Sequence, residues 1–167
     1  MLTFAGSGLD SMLKQLVQDA LPAVLDNHQG ARSQFQKFVE RRLRQNDEGH
    51  LARRFIADVL VAPDPRGHLV KRFVQELRSA SLQSVEMIQK VGAAFDIESN
   101  VLVPDRNTLK EVFDARNQIV HELDVDFNDP ESHRRTRQVD DMKTKTDALF
   151  AVSLRFLDQV NRRLPDE

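Results

Sequence analysis

Cysteine, tryptophan and tyrosine are all absent from this chain of 167 residues. Without cysteine there is no disulfide, no thiolate nucleophile and no cysteine-based zinc site. Any aromatic platform for nucleic-acid bases would have to come from the ten phenylalanines, most of which recur at helical core spacing. No run of about 20 apolar residues occurs, so the sequence predicts no membrane span. The N-terminus also lacks a basic stretch followed by a long apolar one, so we predict no secretory signal and a cytoplasmic protein.

The charge is nearly balanced, with 24 lysines and arginines against 26 acids and a net charge of -2. A general nucleic-acid coat protein would be strongly basic, so any contact with RNA must use a local patch. Each basic cluster is more typical of a solvated helix face than of such a patch. These clusters are Arg41-Arg42 with Arg44, Arg53-Arg54, Lys71-Arg72, Arg134-Arg135 with Arg137, and Arg162-Arg163.

Apolar residues recur at three- and four-residue steps along nearly the whole chain, which predicts helices. We expect one all-α domain over residues 1–167, a bundle of about six or seven helices. Pro22 should kink or split the first of them. The last should be a long helix from about Arg135 to Arg163, with Phe150 and Leu157 widening its apolar stripe. No useful length shows the two-residue alternation of a strand, and 97–103 is the best short candidate.

The sixth periodic segment carries the most informative residues, Arg116-Asn117-Gln118-Ile119-Val120-His121. Either Asp105 or a capping box of Thr108 and Glu111 would begin this helix. Arg116 lies on the helix's apolar line, so its charge must be paired or must face a cleft or an interface. Asn117 and His121 are four residues apart and share a side of the helix.

Arg116 and His121 differ by about 140° around a straight helix. Their side chains converge only if the helix frays at His121 or if a second copy faces the first. This angle therefore favours a site shared across a two-fold axis.

An arginine followed by asparagine, three further residues and a histidine, late in a helix of an all-α domain, resembles the HEPN superfamily. The opening Leu9-Asp10 and the overall layout are loosely similar to the HEPN proteins linked to ribonuclease domains. The chain departs from some HEPN toxins, in which a tyrosine two residues after the histidine is modified by a partner nucleotidyltransferase. That position is Leu123 here, so this form of control is not expected.

The resemblance implies a metal-independent endoribonuclease that needs no cofactor, a toxin or antiviral effector. Its catalytic residues would be Arg116, Asn117 and His121. His121 would act as general acid or base, Arg116 would clamp the phosphate, and Asn117 would hold the substrate or orient His121. The expected partners are RNA, a second copy of the chain in a homodimer, and a neutralising antitoxin.

Three alternatives stay open at this point. Arg116 could pair with Asp114, Glu122 or an acid on another helix, while His121 merely ends its helix favourably against the dipole. The chain could also be a non-catalytic RNA-binding or protein-interaction module. A metal-dependent helical enzyme is disfavoured because the five histidines are scattered and form no His-Glu-x-x-His run. A second formal match to the motif runs from Arg44 to His50. We discount it as a site, because it crosses a polar stretch that is predicted to be a loop.

Overall fold

The structure, a computed structural model, describes the backbone of residues 1–44 and 50–165, and in the fourth helix the side chains from Arg54 onward. Within these ranges the chain forms nine α-helices and no β-strand, apart from one isolated bridge between Val125 and Arg134. The all-α prediction is confirmed. The helices are α1 Leu2–Asp19, α2 Leu21–Asn27, α3 Gln29–Arg44, α4 His50–Leu60, α5 Pro65–Ser79, α6 Val85–Ala94, α7 Ser99–Leu102, α8 Arg106–His121 and α9 Val139–Asn161.

Two of the nine described helices, α2 and α7, are short. The other seven correspond to the six or seven helices that the apolar periodicity predicts. The first predicted helix is indeed split: α1 ends at Asp19, and Pro22 lies in the first turn of α2. Proline is tolerated there because a first-turn residue needs no N–H donor. The best strand candidate instead contains α7, a single turn of four residues.

The first helix is the centre of the bundle. Leu9, Leu13 and Val17 recur on one face of α1 and are almost completely buried. Helix α1 packs against α2, α5, α8 and α9, while α3 packs against α2, α5 and α6. The core therefore joins a group formed by α1, α8 and α9 to a group formed by α3, α5 and α6.

The long C-terminal helix is shorter than predicted. It begins at Val139 rather than near Arg135 and ends at Asn161. Its buried stripe comprises Thr146, Leu149, Val152, Phe156 and Val160. The prediction that Phe150 and Leu157 widen this stripe is wrong, because these side chains are 53% and 41% exposed.

Three parts of the chain meet at one end of the bundle. Gly6, near the start of α1, lies against the side chain of Arg116 in α8. Arg137, just before α9, donates a hydrogen bond to Gln118 of α8. The amino end of α1, the carboxyl end of α8 and the approach to α9 therefore surround the predicted motif. In the part of the chain that is described, no helix is long and apolar enough to cross a bilayer.

Candidate functional site on helix α8

The helix that carries the motif has well-defined ends. Asp105 is the N-cap: its side chain accepts hydrogen bonds from the backbone N–H of Thr108 at 3.0 Å and from the Thr108 hydroxyl at 2.6 Å. These bonds lower the pKa of Asp105. Asp105 therefore begins the helix, and Thr108 lies inside its first turn rather than at the cap. A carboxylate is favourable at a helix N-terminus.

The carboxyl end of α8 is closed by a left-handed turn. Leu123 and Asp124 have φ angles of 52° and 61°, and the backbone N–H of Asp124 donates to the carbonyl of Gln118 at 3.0 Å. Such a bond from beyond the cap satisfies a carbonyl of the last turn. The N–H of Glu122 also bonds the Gln118 carbonyl, at 3.1 Å. Helix α8 therefore does not fray at His121.

Arg116 is half-buried and its charge is not neutralised by an acid among the described residues. The two acids of this region that were considered as partners are engaged elsewhere: Asp114 pairs with Lys110 at 2.8 Å, and Glu122 pairs with Arg135 at 2.7 Å. The buried Nε of Arg116 has no hydrogen-bond partner among the residues that the structure describes. Leaving a buried donor unpaired costs about 1–3 kcal/mol. The site therefore holds a half-buried guanidinium that has no acidic partner among the described residues.

The stem of Arg116 runs over a glycine of α1. A methyl group added to Gly6 would lie 3.6 Å from Cγ and 3.9 Å from Nε of Arg116, which is ordinary van der Waals contact. Gly6 is itself buried. The close approach of the α1 backbone therefore gives the arginine its packing, and the guanidinium is oriented without an ion pair.

Asn117 connects the arginine to the histidine side of the helix. Its Oδ1 accepts a hydrogen bond from Nη1 of Arg116 at 3.0 Å. His121, four residues later on the same side, is exposed and is the last residue of α8. Because α8 stays helical to this point, Arg116 and His121 remain about 140° apart around its axis. A single copy of the chain therefore presents the three groups as an arc rather than as a closed pocket.

The connection between α8 and α9 braces this arc, and the sequence patterns described above do not predict it. Arg137 bonds Asp124 through Nε at 2.8 Å and Gln118 through Nη2 at 2.9 Å. Arg135 pairs with Glu122 and, more loosely, with Asp126 at 3.4 Å. The Arg137 guanidinium lowers the pKa of Asp124. Because these arginines bind back to α8 and its turn, α9 begins only at Val139.

A signal for this brace does exist in the sequence. Acids alternate at 122, 124 and 126, basic residues stand at 135 and 137, and Pro130 lies between the two groups. Such alternation on both sides of a turn suits two short extended segments that face each other with opposite charge. The isolated bridge between Val125 and Arg134 forms in this region.

Large apolar side chains are exposed on the segments that adjoin the motif. Phe4 precedes Gly6 by two residues and is 83% exposed, and Leu123 follows His121 by two residues and is 73% exposed. Phe127 and Val139, in the connection and at the start of α9, are also exposed. Exposed apolar side chains of this size are common on interaction surfaces.

The second formal match to the motif falls partly outside the described residues. Arg44 ends α3, is exposed and lies 3.7 Å from Glu40. The predicted loop at 45–49 and the side chain of His50 lie outside the described residues. In the described part of the chain, no group of three or more histidines and acids is arranged to hold a metal ion. Comparison of the chain with protein-family models, curated proteins and solved structures gave no match.

Proposed function

We propose that this chain is a metal-independent endoribonuclease of the HEPN type, acting as a toxin or antiviral effector. One observation carries the proposal: Arg116 is half-buried, unpaired by any acid in the described structure, and hydrogen-bonded to the adjacent Asn117. A phosphodiester supplies the anion that such a guanidinium lacks, and its oxygens match the planar fork of donors.

The proposed reaction assigns separate roles to His121 and Arg116. The general base, His121, takes the proton of the ribose 2′-hydroxyl as the 2′-oxygen attacks phosphorus. The bond between phosphorus and the 5′-oxygen breaks, and that oxygen receives the proton that the His121 imidazolium now carries. Arg116 stabilises the charge that develops on the phosphoryl oxygens. The products are a 2′,3′-cyclic phosphate end and a 5′-hydroxyl end.

A homodimer would complete the site. Arg116 and His121 of one protomer point in different directions around α8, so a second copy related by a two-fold axis supplies the missing partner. The exposed apolar residues around the motif, including Phe4 and Leu123, support an interface at this end of the bundle. A neutralising antitoxin would be a further partner.

The test is cleavage of RNA by purified protein in excess EDTA. Arg116→Ala and His121→Ala should each lower the rate by about 10²–10⁴-fold. Asn117→Ala should cause a smaller loss. The matched control is Arg155→Ala, which removes an exposed arginine of α9 and leaves the motif and its brace unchanged. Unchanged cleavage in the two motif variants, or activity that requires metal, would contradict the proposal.

Mixing the two inactive variants tests the shared site. If Arg116 of one protomer works with His121 of the other, a mixed dimer of Arg116→Ala and His121→Ala contains one intact pair. Random exchange then restores roughly a quarter of wild-type activity, because half of the dimers are mixed. No recovery after verified subunit exchange means that both residues act within one chain.

A second candidate function is a non-catalytic RNA-binding or protein-interaction module. His121 has no hydrogen-bond partner among the described residues, whereas a catalytic histidine is commonly oriented by a third group. This module would bind RNA or a partner through Arg116 without cutting RNA. RNA binding that depends on Arg116, with no cleavage in any preparation, would favour this alternative.

A further inference from the structure

We propose that the groove between α1 and α5 is a docking surface for an acidic amphipathic helix of another protein. The groove has a volume of about 710 Å³ and is lined by residues of α1, α5 and the first turn of α2. This inference goes beyond the proposed function, because the groove shares no residue with the arc of Arg116, Asn117 and His121.

The floor of the groove is apolar. Val70 and Val74 of α5 and Pro22 of α2 are half-buried and line it. Along α5 the groove extends from Val70 to Ser79, which corresponds to about 13 Å of helix. A space of this length and character accommodates two to three turns of a helix that presents apolar residues at i, i+3 or i+4, and i+7.

The rim of the groove is basic. Lys14, Lys71 and Arg78 line it, and no acid does so among the described residues. Lys14 has an acidic partner, Asp10, at 2.8 Å. Lys71 and Arg78 have no ion-pair or hydrogen-bond partner in the described structure. The rim therefore attracts a negatively charged segment.

Glu76, the acid of α5, pairs with cations of other helices rather than with the rim of the groove. Glu76 binds Arg41 and, at 2.8 Å, Arg42 of α3, and it lies 3.4 Å from Lys90 of α6. It is therefore engaged on the other side of α5 and does not neutralise the rim. The positive charge of Lys71 and Arg78 remains available to a partner.

The floor favours a peptide over RNA. Single-stranded nucleic acid is held by aromatic side chains on which bases stack, and no phenylalanine is among the described residues that line this groove. Branched aliphatic residues and proline suit the apolar face of a helix, and Lys71 and Arg78 suit glutamates beside that face. The groove is also remote from the motif, since Lys14 follows Gly6 by eight residues, or about 12 Å along α1.

The experiment measures fluorescence anisotropy of a fluorescein-labelled designed helical peptide, with leucines on one face and glutamates elsewhere. We expect saturable binding to the full chain that Lys71→Glu with Arg78→Glu weakens at least about tenfold. The matched control, Lys143→Glu with Arg155→Glu, reverses two exposed charges of α9 and should leave binding unchanged. Circular dichroism verifies that both double variants remain helical.

Two further probes decide the outcome. A peptide of the same composition with its leucines scattered around the helix should bind at least about tenfold more weakly. A labelled single-stranded RNA should show no dependence on Lys71 and Arg78. No binding of the designed peptide, equal binding of the scattered one, or RNA binding lost in the groove variant would overturn the proposal.

The result is independent of the proposed ribonuclease. The Lys71→Glu, Arg78→Glu variant should cleave RNA at the wild-type rate while losing the peptide. If neither protein cleaves RNA but the peptide still binds in the groove, the proposed function fails and the docking surface stands.

Discussion

Arg116 is oriented by packing and by one neighbouring amide rather than by an acid. Its Nη1 donates to Asn117, its Cγ lies over Gly6, and its buried Nε has no partner within the described part of the chain. The cost of this arrangement is offset by the core around it, because Val112, Phe113 and Ala115 of the same helix are buried. Structure alone gives no stabilising reason for a charge at this position, which supports a role in binding an anion.

Gly6→Ala should stabilise the protein by about 1 kcal/mol, because alanine is the better residue inside a helix and the added methyl group meets Arg116 only at ordinary contact distance. Gly8→Ala is the matched control, since nothing lies within 4 Å of its added methyl group. Urea denaturation measures both. If Gly6→Ala destabilises while Gly8→Ala stabilises, the stem of Arg116 is packed more tightly against α1 than described.

At the scale of elements, the end of α8 depends on a segment that is not helical. The turn at Leu123 and Asp124 reverses the chain, and Arg135 and Arg137 return to bind the acids that follow the helix. Gln118 lies one residue after Asn117 and accepts from Arg137. The brace therefore acts on the same turn of helix as the candidate site.

Arg137→Ala should loosen the last turn of α8 and lower RNA cleavage, because it removes the bonds to Gln118 and Asp124 and leaves that carboxylate unpaired. Hydrogen exchange of the amides at 118–124 should become faster. Arg134→Ala, which removes an exposed arginine three residues earlier, should leave both properties unchanged. Equal effects of the two substitutions would show that Arg137 acts only through general charge.

Asp124 should make stability depend on pH in the acid range. Its pKa is lowered in the folded protein, chiefly by the hydrogen bonds from Arg137. The ionised carboxylate therefore stabilises the fold above the ordinary aspartate pKa of about 3.9, and this contribution is lost as pH falls through the lowered value.

Thermal unfolding of Asp124→Asn beside the wild type measures this contribution. The wild type should have the higher Tm at pH 7, and the difference should shrink as pH is lowered below about 4. Asp105 and Asp129 also have lowered pKa values, so both proteins should lose stability together from those sites. A difference between the two proteins that persists undiminished at pH 2 would exclude ionised Asp124 as its source.

For the whole molecule, the position of the motif at one end of the bundle is the central fact. Helix α1 contacts both groups of helices, and its amino end, with Gly6, supports Arg116. The exposed Phe4 lies in the first turn of the same helix. Dimerisation through this end would cover the apolar residues and bring two copies of the motif together.

Phe4→Glu should convert the proposed dimer to a monomer and abolish RNA cleavage. The substitution removes an exposed apolar side chain and places an acid where the helix dipole favours one, so the fold should tolerate it. Leu154→Glu is the matched control, because it adds the same charge at an exposed leucine of α9. Sedimentation equilibrium gives the mass. A monomeric wild type, or a Phe4→Glu variant that remains a fully active dimer, would contradict this interface.

Much of the fold was predictable because its causes are local. The period of the apolar residues indicated the helices, and Pro22 indicated the break between α1 and α2. The start of α9 was not predictable from periodicity, since Arg135 and Arg137 suit a helix equally well when considered alone. Likewise, Phe150 and Leu157 are apolar residues at helical spacing, but in the described structure their side chains remain exposed, which depends on how the other helices pack around α9.

The candidate site likewise combines features set by local sequence with features set by tertiary packing. The sequence by itself determined that Arg116, Asn117 and His121 lie late in one helix, because that depends only on spacing along α8. The tertiary structure decided that Asp114 and Glu122 pair with other cations and leave Arg116 without an acid. It also decided that Gly6 supports the arginine and that a basic groove opens between α1 and α5. The physical reason is that helical order arises from neighbours in sequence, whereas ion pairing and packing depend on distances between segments that only the folded chain brings together.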